Sequence, residues 1–390
     1  MKGKVWNEST VYHDPVTLRA IRQITTCGMV NTVPSYHTGQ SFSQSGEEVI
    51  FITVRDGYSF LCKADLTTGN ITCLTGPVDG MGGINEAGRF GNGKGIPIGA
   101  VLAPRSRWAF YLVGRKIRAV HLDTLEEKVV VDDIPEVYFV ESLAVSTDEK
   151  VLIYSLDAFD REKLGGLDAK IVRLNLDSGE RKILLEKKGI AIGHLMFNPA
   201  DPDLFIFNMD KGPSFEHRVD EHSRTWIYRL SSQAVTEVQT IAKQNFQTHT
   251  AWTWDGERVL YHGVLGKSEW KNNVNDAGWY IGIARTDGIP VREYSFPDAP
   301  YYGHVSAPVK KNAVILDGNL LDGALMLLSF DRERPRVELL GRHDSDFTAM
   351  PSQYAHPHAV SDPSGRWIVF NSARRVIFTG ARSDIYAMEL

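Results

Sequence analysis

The sequence predicts an all-β chain folded as a seven-bladed β-propeller. Three observations carry that expectation: a hairpin unit that recurs along nearly the whole chain, glycine-bearing turns between its runs, and histidines at one register of the unit. Units of about 40–50 residues with several strands each are a sequence signature of propeller blades. The clearest unit spans Thr38–Thr75. It holds a first run before a Ser-Gly turn, then Val49–Val54, an Asp-Gly turn, Tyr58–Ala64, a Thr-Gly turn and Ile71–Leu74. Glycine supplies the positive φ that such hairpin turns need. Similar units begin near Ile98, Glu141, Gly193, Thr248, Gly303 and Ala355, which makes seven. The 34 glycines and 17 prolines, with no stretch of convincing helical period, agree with the all-β class.

The last unit offers Ala359–Val360, Trp367–Phe370 and Asp384–Met388, and is one strand short. Ahead of the first unit lies the strand-like Leu18–Thr25, within residues 16–26. It is expected to complete the last blade, closing the ring and removing exposed edges. Length alone would admit two domains. Because the repeat is continuous, residues 1–390 are expected to form a single propeller domain.

Composition sets bounds. With 43% hydrophobic residues in 390, the chain can bury a large core. Its 43 basic and 48 acidic residues give a net charge of −5, with no basic block, so nucleic acid is not an expected partner. The first residues, MKGKVWNESTVYHDP, are polar and lack the apolar core of a signal peptide. No run approaches the roughly 20 apolar residues of a membrane span, so no membrane partner is expected. Cys27, Cys62 and Cys73 are odd in number and lack metal-type spacing, as in a reduced compartment. A cytoplasmic location follows as the expectation.

The histidines point to chemistry. His249 stands seven residues ahead of Gly256 in HTAWTWDG, His358 seven ahead of Gly365 in HAVSDPSG, and His304 seven ahead of Lys311 in HVSAPVKK. His194 stands in the same relation to Asp201 in HLMFNPADPD. A residue type repeated at one register of a hairpin occupies one place around an axis, which implies a ring of imidazoles. In the seventh unit, Gln353, His356 and His358 form a QxxHxH cluster at the start of the expected leading strand. Two residues apart on a strand, His356 and His358 would face the same side. Gln353 in the entering loop can turn its carbonyl oxygen to the same point, and His304 comes from the preceding unit. Three imidazoles and an amide oxygen make a first shell for a divalent ion. Without thiolate, that shell favours Mn²⁺ or a similar six-coordinate ion over structural zinc. A lone propeller histidine more often bonds neighbouring blades, and His13, His217 and His262 are read that way. The pair at i, i+2 with a register-matched third favours a metal or polar catalytic cluster.

The segments HTGQSFSQSGEEVIFITVRDG with ADLTTGNITCLT, FNPADPDLFIFNMDKGPSFEHRVDEHSRTW, and QxxHxH near the C-terminus resemble the oligogalacturonate lyases, polysaccharide lyase family 22. The resemblance runs from about residue 16 to the end. It implies a seven-bladed cytoplasmic propeller that uses Mn²⁺ to cleave short pectic oligomers by β-elimination. It further implies metal ligation by His304, Gln353, His356 and His358, a Brønsted base at His249 and an essential arginine at Arg224. The loop between Gly212–Pro213 and Arg224 is longer than the family's usual form, which makes Arg218 a rival for the arginine role. The insert GKSEWKNNVNDAGWY is atypical and is expected at the cleft mouth.

These residue types suit the reaction. The C5 proton of a uronate is weakly acidic, because its removal places a second negative charge beside a carboxylate. A metal on that carboxylate stabilises the charge as a Lewis acid. The base must be neutral near pH 7, as histidine is. Arg224 could clamp a carboxylate with its planar fork. His37 and Gln40 lie near the central register of the first unit, and His37 is expected to touch substrate. His194 shares the axial register and borders the site, and Arg55 is expected to stabilise a turn. Trp252, Trp254 and Trp270 could stack on sugars, although core or hairpin packing is the commoner fate. The partner implied is a small acidic oligosaccharide. Two other classes stay open: a non-catalytic interaction propeller, and a lyase for another uronate glycan or a glycoside hydrolase. A hydrolase needs two facing carboxylates, and Glu141 is the one acid placed at the axial end of a blade.

Overall fold

Runs of β-formers separated by glycine turns give seven antiparallel sheets of four or five strands, the architecture of a seven-bladed β-propeller. The computed structural model describes residues 1–33, 40–77, 99–158, 168–211, 223–243, 245–266, 278–298, 303–309, 312–318, 323–330, 334–346, 355–374 and 382–390. The chain divides into two compact units, Met1–Pro135 with Lys311–Leu390, and Glu136–Lys310.

The first unit holds three complete blades. In sheet order, the first blade is Val30–Thr32, Glu48–Arg55, Tyr58–Asp65, Asn70–Cys73 and Val5–Asn7. The second is Ala100–Ala103, Trp108–Val113, Lys116–His121 and Glu127–Val131. The seventh is Val360–Ser361, Trp367–Ser372, Asp384–Glu389, Ala20–Gln23 and Thr10–His13. Strands Ala313–Leu316, Ala324–Ser329 and Arg336–Arg342 of the sixth blade also belong here.

The second unit carries the third, fourth and fifth blades. Tyr138–Val145, Val151–Ala158, Asp168–Asn175 and Arg181–Lys188 form the third, and Ile190–Phe197, Leu204–Lys211, Thr225–Arg229 and Ala234–Glu237 the fourth. Phe246–Trp252, Arg258–Val264, Trp279–Arg285 and Pro290–Phe296 form the fifth, and Val305–Ser306 opens the sixth.

Burial follows from sheets packed on both faces. Val151–Ala158, second in its blade, is buried at every residue, whereas Arg181–Lys188 at the blade's edge is mostly exposed. Between the third and fourth blades, Phe205 stacks on Tyr228 at 5.0 Å between centroids, with Ile153, Phe197 and Phe207 in the same cluster. Each such large side chain contributes about 1.5–3 kcal/mol when wholly buried. The Asp255-Gly256 turn shows why glycine is required. Gly256 has φ 73°, and a Cβ there would lie 2.2 Å from Asn198 Oδ1 of the fourth blade, whose amide nitrogen donates to the Gly256 carbonyl at 2.7 Å.

The expected completion of the last blade is present. Ala20–Gln23 pairs with the final strand in the register Ile21↔Met388, Arg22↔Ala387 and Gln23↔Tyr386. Two features differ from expectation. The polar N-terminus contributes two further strands, Val5–Asn7 against Asn70–Cys73 and Thr10–His13 against Ala20–Gln23. Each turns a single large side chain inward, Trp6 and Tyr12, against the neighbouring clusters, too little to announce a strand as an apolar alternation. Arg55 fastens this segment, forking onto Glu8 at 3.1 and 2.5 Å and lying over the Trp6 ring. The first blade is also led by Val30–Thr32, with only a single bridge, Phe42↔Val49, where its first run was expected.

The seam of the last blade is polar. Asp384 accepts from Thr25 Oγ1 at 3.0 Å, Gln23 Nε2 at 3.1 Å, Asn31 Nδ2 at 3.1 Å and Arg382 Nε at 2.7 Å. Burial outweighs these donors and pushes its carboxyl up to about 6. A carboxyl raised on folding favours the native state below its unfolded value of about 4, and that contribution is lost as pH rises through about 6. Wild type should therefore lose stability relative to Asp384→Asn between pH 4 and 7, by on the order of 3 kcal/mol. Urea unfolding of both proteins across that range measures it. A gap moving the other way contradicts the sign.

Candidate active site

The site begins where the leading strands of the second unit break register. The ladder slips between Val140 and Ser142, between Gly193 and Met196, and between Gln247 and Thr250. A bulge leaves an extra residue outside the pairing and re-aims its side chain. His194 and His249 fall in two of these bulges, and Glu141 in the third. His194 also has φ 54°, a left-handed conformation for a residue with a Cβ. The imidazole register expected from sequence is therefore carried by irregular backbone at the head of each strand.

The bulges gather a run of rings. His249 lies 6.2 Å from His194 and 4.4 Å from His304 between ring centroids. On its other side, His249 Nδ1 is 3.3 Å from Nε2 of His262, and the two rings stack at 26°. Thr248 Oγ1 donates to the His262 carbonyl at 3.1 Å and lies 3.4 Å from its Nε2. His262, read from sequence as a bland blade contact, is wholly buried directly behind His249. A signal for it was available. Extending the pairs Trp252↔Val259, Ala251↔Leu260 and Thr250↔Tyr261 by one step sets His249 opposite His262.

Arg224 is buried, not a surface residue, and it does not stand alone. Its Nε and Nη2 donate to the Asp210 carboxylate at 2.6 and 3.1 Å. Asp210 escaped the sequence reading because nothing in its strand marks it as a partner. Burial pushes the His194 imidazole well below its ordinary pKa, and the positive charge of Arg224 adds to the effect. His194 is accordingly a neutral ring near pH 7.

In the other unit, His356 and His358 sit 5.4 Å apart between ring centroids at 71°. They do not lie on a strand as expected. The leading strand is Val360–Ser361, and Pro357 between the two histidines has no N–H for a ladder. His358 takes φ 47° and donates its backbone N–H to Oδ2 of the buried Asp317 at 2.9 Å. Left-handed backbone and a carboxylate anchor, not strand alternation, orient this pair. Gln353, His37, Arg218 and Trp270 lie outside the described residues. Trp252 and Trp254 prove to be packing residues, donating to the carbonyls of Met196 at 3.1 Å and Ala307 at 2.9 Å.

No family model and no curated protein sequence matches the chain. Among solved structures it is similar to an oligogalacturonate lyase in complex with manganese, with a TM-score of 0.77 and 21% identity over 100% of this chain and 98% of that one. An oligogalacturonate lyase from Vibrio parahaemolyticus matches with a TM-score of 0.76 and 18% identity over the same shares. A looser likeness, TM-score 0.55 and 12% identity, covers 96% of this chain and 55% of a prolyl endopeptidase. At these identities the likeness establishes the fold: the chain shares the seven-bladed propeller of the oligogalacturonate lyases over its full length.

The electrostatics around His194 can be measured. In metal-free protein, proton NMR titration should find His194 neutral well below the usual imidazole range. Arg224→Met removes a positive charge that contributes to this depression, so the His194 pKa should rise. An unchanged value would detach Arg224 from His194.

Proposed function

We propose that this protein is a metal-dependent lyase that cleaves short uronate oligosaccharides by β-elimination, with oligogalacturonates as the expected class. The carrying observation is the contact of His249 with His304, ring centroids 4.4 Å apart, in a chain whose whole length matches oligogalacturonate lyase structures. His304, His356 and His358 are the proposed imidazole ligands of a metal, and Gln353 is the proposed fourth ligand. The donor set fits: neutral imidazoles without thiolate suit Mn²⁺ and its neighbours, and Asp317 fixes the backbone of His358. When bound, such an ion supplies a Lewis acid beside the substrate carboxylate.

The protein's own residues do the rest. His249, half-buried and next to a proposed ligand, is placed to take the C5 proton. The electrons of that C–H bond become the C4–C5 double bond as the C4–O bond breaks, and the leaving oxygen gains a proton. Arg224 serves as a fixed positive group for a substrate carboxylate, with Asp210 holding its fork in place. His194, kept neutral, lines the site as an uncharged ring. His37 and Arg218 are proposed substrate contacts from the flanking loops.

The decisive variants separate base from ligand. His249→Ala should keep its metal and lose about 10²–10⁴-fold in turnover of oligogalacturonate, followed by ultraviolet absorbance of the unsaturated product. Near-normal turnover would overturn the base assignment. His304→Ala, His356→Ala, His358→Ala and Gln353→Ala should each lower metal content by elemental analysis. Full retention in all four would remove the metal reading. Because the ligands are neutral imidazoles, metal affinity in wild type should fall as pH drops through the histidine range.

A further inference from the structure

The proposed base has a buried partner that the reaction itself does not call for. His262 is wholly buried in the strand Arg258–Val264, and its Nε2 lies 3.3 Å from His249 Nδ1. A contact between two imidazole nitrogens works as a hydrogen bond only if one carries a proton and the other a lone pair. Two arrangements satisfy it, and they differ in what they leave at the far side of His249. If His262 donates, His249 carries its own proton on Nε2 and has no lone pair there. If His249 donates through Nδ1–H, its Nε2 carries the lone pair that can accept a proton.

We propose that His262 is a positioning residue for His249, accepting the Nδ1–H so that the His249 Nε2 lone pair faces substrate. This rests on the reading of His249 as the base. The surroundings hold His262 in place for the task. Thr248, in the same bulge as His249, spends its hydroxyl proton on the His262 carbonyl at 3.1 Å, tying the two strands at this point. Gly263 lets the strands meet there, since a Cβ at that position would lie 1.7 Å from the Phe246 carbonyl oxygen. Accepting at Nε2, His262 carries its own proton on Nδ1 and takes part as a neutral ring. The arrangement serves the same end as the carboxylate that fixes the histidine tautomer in serine-protease triads, reached here with a neutral group.

The test reads the tautomer directly. In metal-free protein with ¹⁵N-labelled histidine, long-range ¹H–¹⁵N spectra should show His249 as the Nδ1–H form, its signals assigned by their loss in His249→Gln. An Nε2–H form in wild type overturns the proposal whether or not any variant folds. His262→Phe, which cannot accept, should lose the Nδ1–H preference and lower kcat about 10²-fold while KM and metal content stay within a few-fold. His262→Gln, whose amide oxygen can accept, should keep the tautomer and recover most of kcat. A folded His262→Phe with wild-type tautomer and kcat sinks the positioning role alone. If His249→Ala also retains turnover, the base reading fails with it.

Discussion

A strand that stays in its ladder keeps its side chains within the sheet, and the whole candidate site depends on breaking that rule at the head of the blades. In the fourth and fifth blades the slip between Gly193 and Met196, and between Gln247 and Thr250, frees His194 and His249. In the seventh blade, His358 reaches the same end with φ 47°. Left-handed backbone at residues with a Cβ costs of order 1–3 kcal/mol and persists only where neighbours fix it. The fixings are visible: Ser142 Oγ accepts the Leu195 N–H at 3.0 Å, and Asp317 accepts that of His358. The rigid blades tolerate this strain, which sets several imidazoles where a reaction can use them.

The charge balance around these rings bears on the substrate. Arg224 and Asp210 form a buried pair whose charges offset one another, and His194 is held neutral. A buried pair of this kind is weak evidence for stability and better explained by the geometry it fixes. Asp210 therefore partly offsets the positive charge that Arg224 can present to an acidic oligosaccharide, which leaves room for a further positive group. A divalent cation on neutral imidazoles would supply it.

Much of the fold was legible in the sequence because hairpin chemistry is local. Gly256 and Gly365 announce their turns, the register counted back from them finds His249 and His358, and the missing strand of the last blade points to Leu18–Thr25. Three things were not legible. Val5–Asn7 and Thr10–His13 each pack one large side chain, Trp6 and Tyr12, inward, so no hydrophobic period reveals them. The convergence of His356 and His358 comes from irregular backbone around Pro357, where strand alternation does not apply. His262 and Asp210 matter through a partner across the sheet, and a partner is visible only once pairing is laid out as two strands. Such cross-strand neighbours are missed by any reading that scores histidines or carboxylates singly.

Whether the chain breaks its substrate by elimination is decided most directly by the atoms of the products. Short oligogalacturonates incubated with the manganese-loaded protein in heavy-oxygen water, then analysed by mass spectrometry, distinguish the two ways of cutting a glycosidic bond. Elimination gives fragments whose masses add up to that of the substrate, with an unsaturated uronate at one end and no heavy oxygen incorporated. Fragments that together carry one added water with heavy oxygen would mean hydrolysis and would contradict the role given to His249.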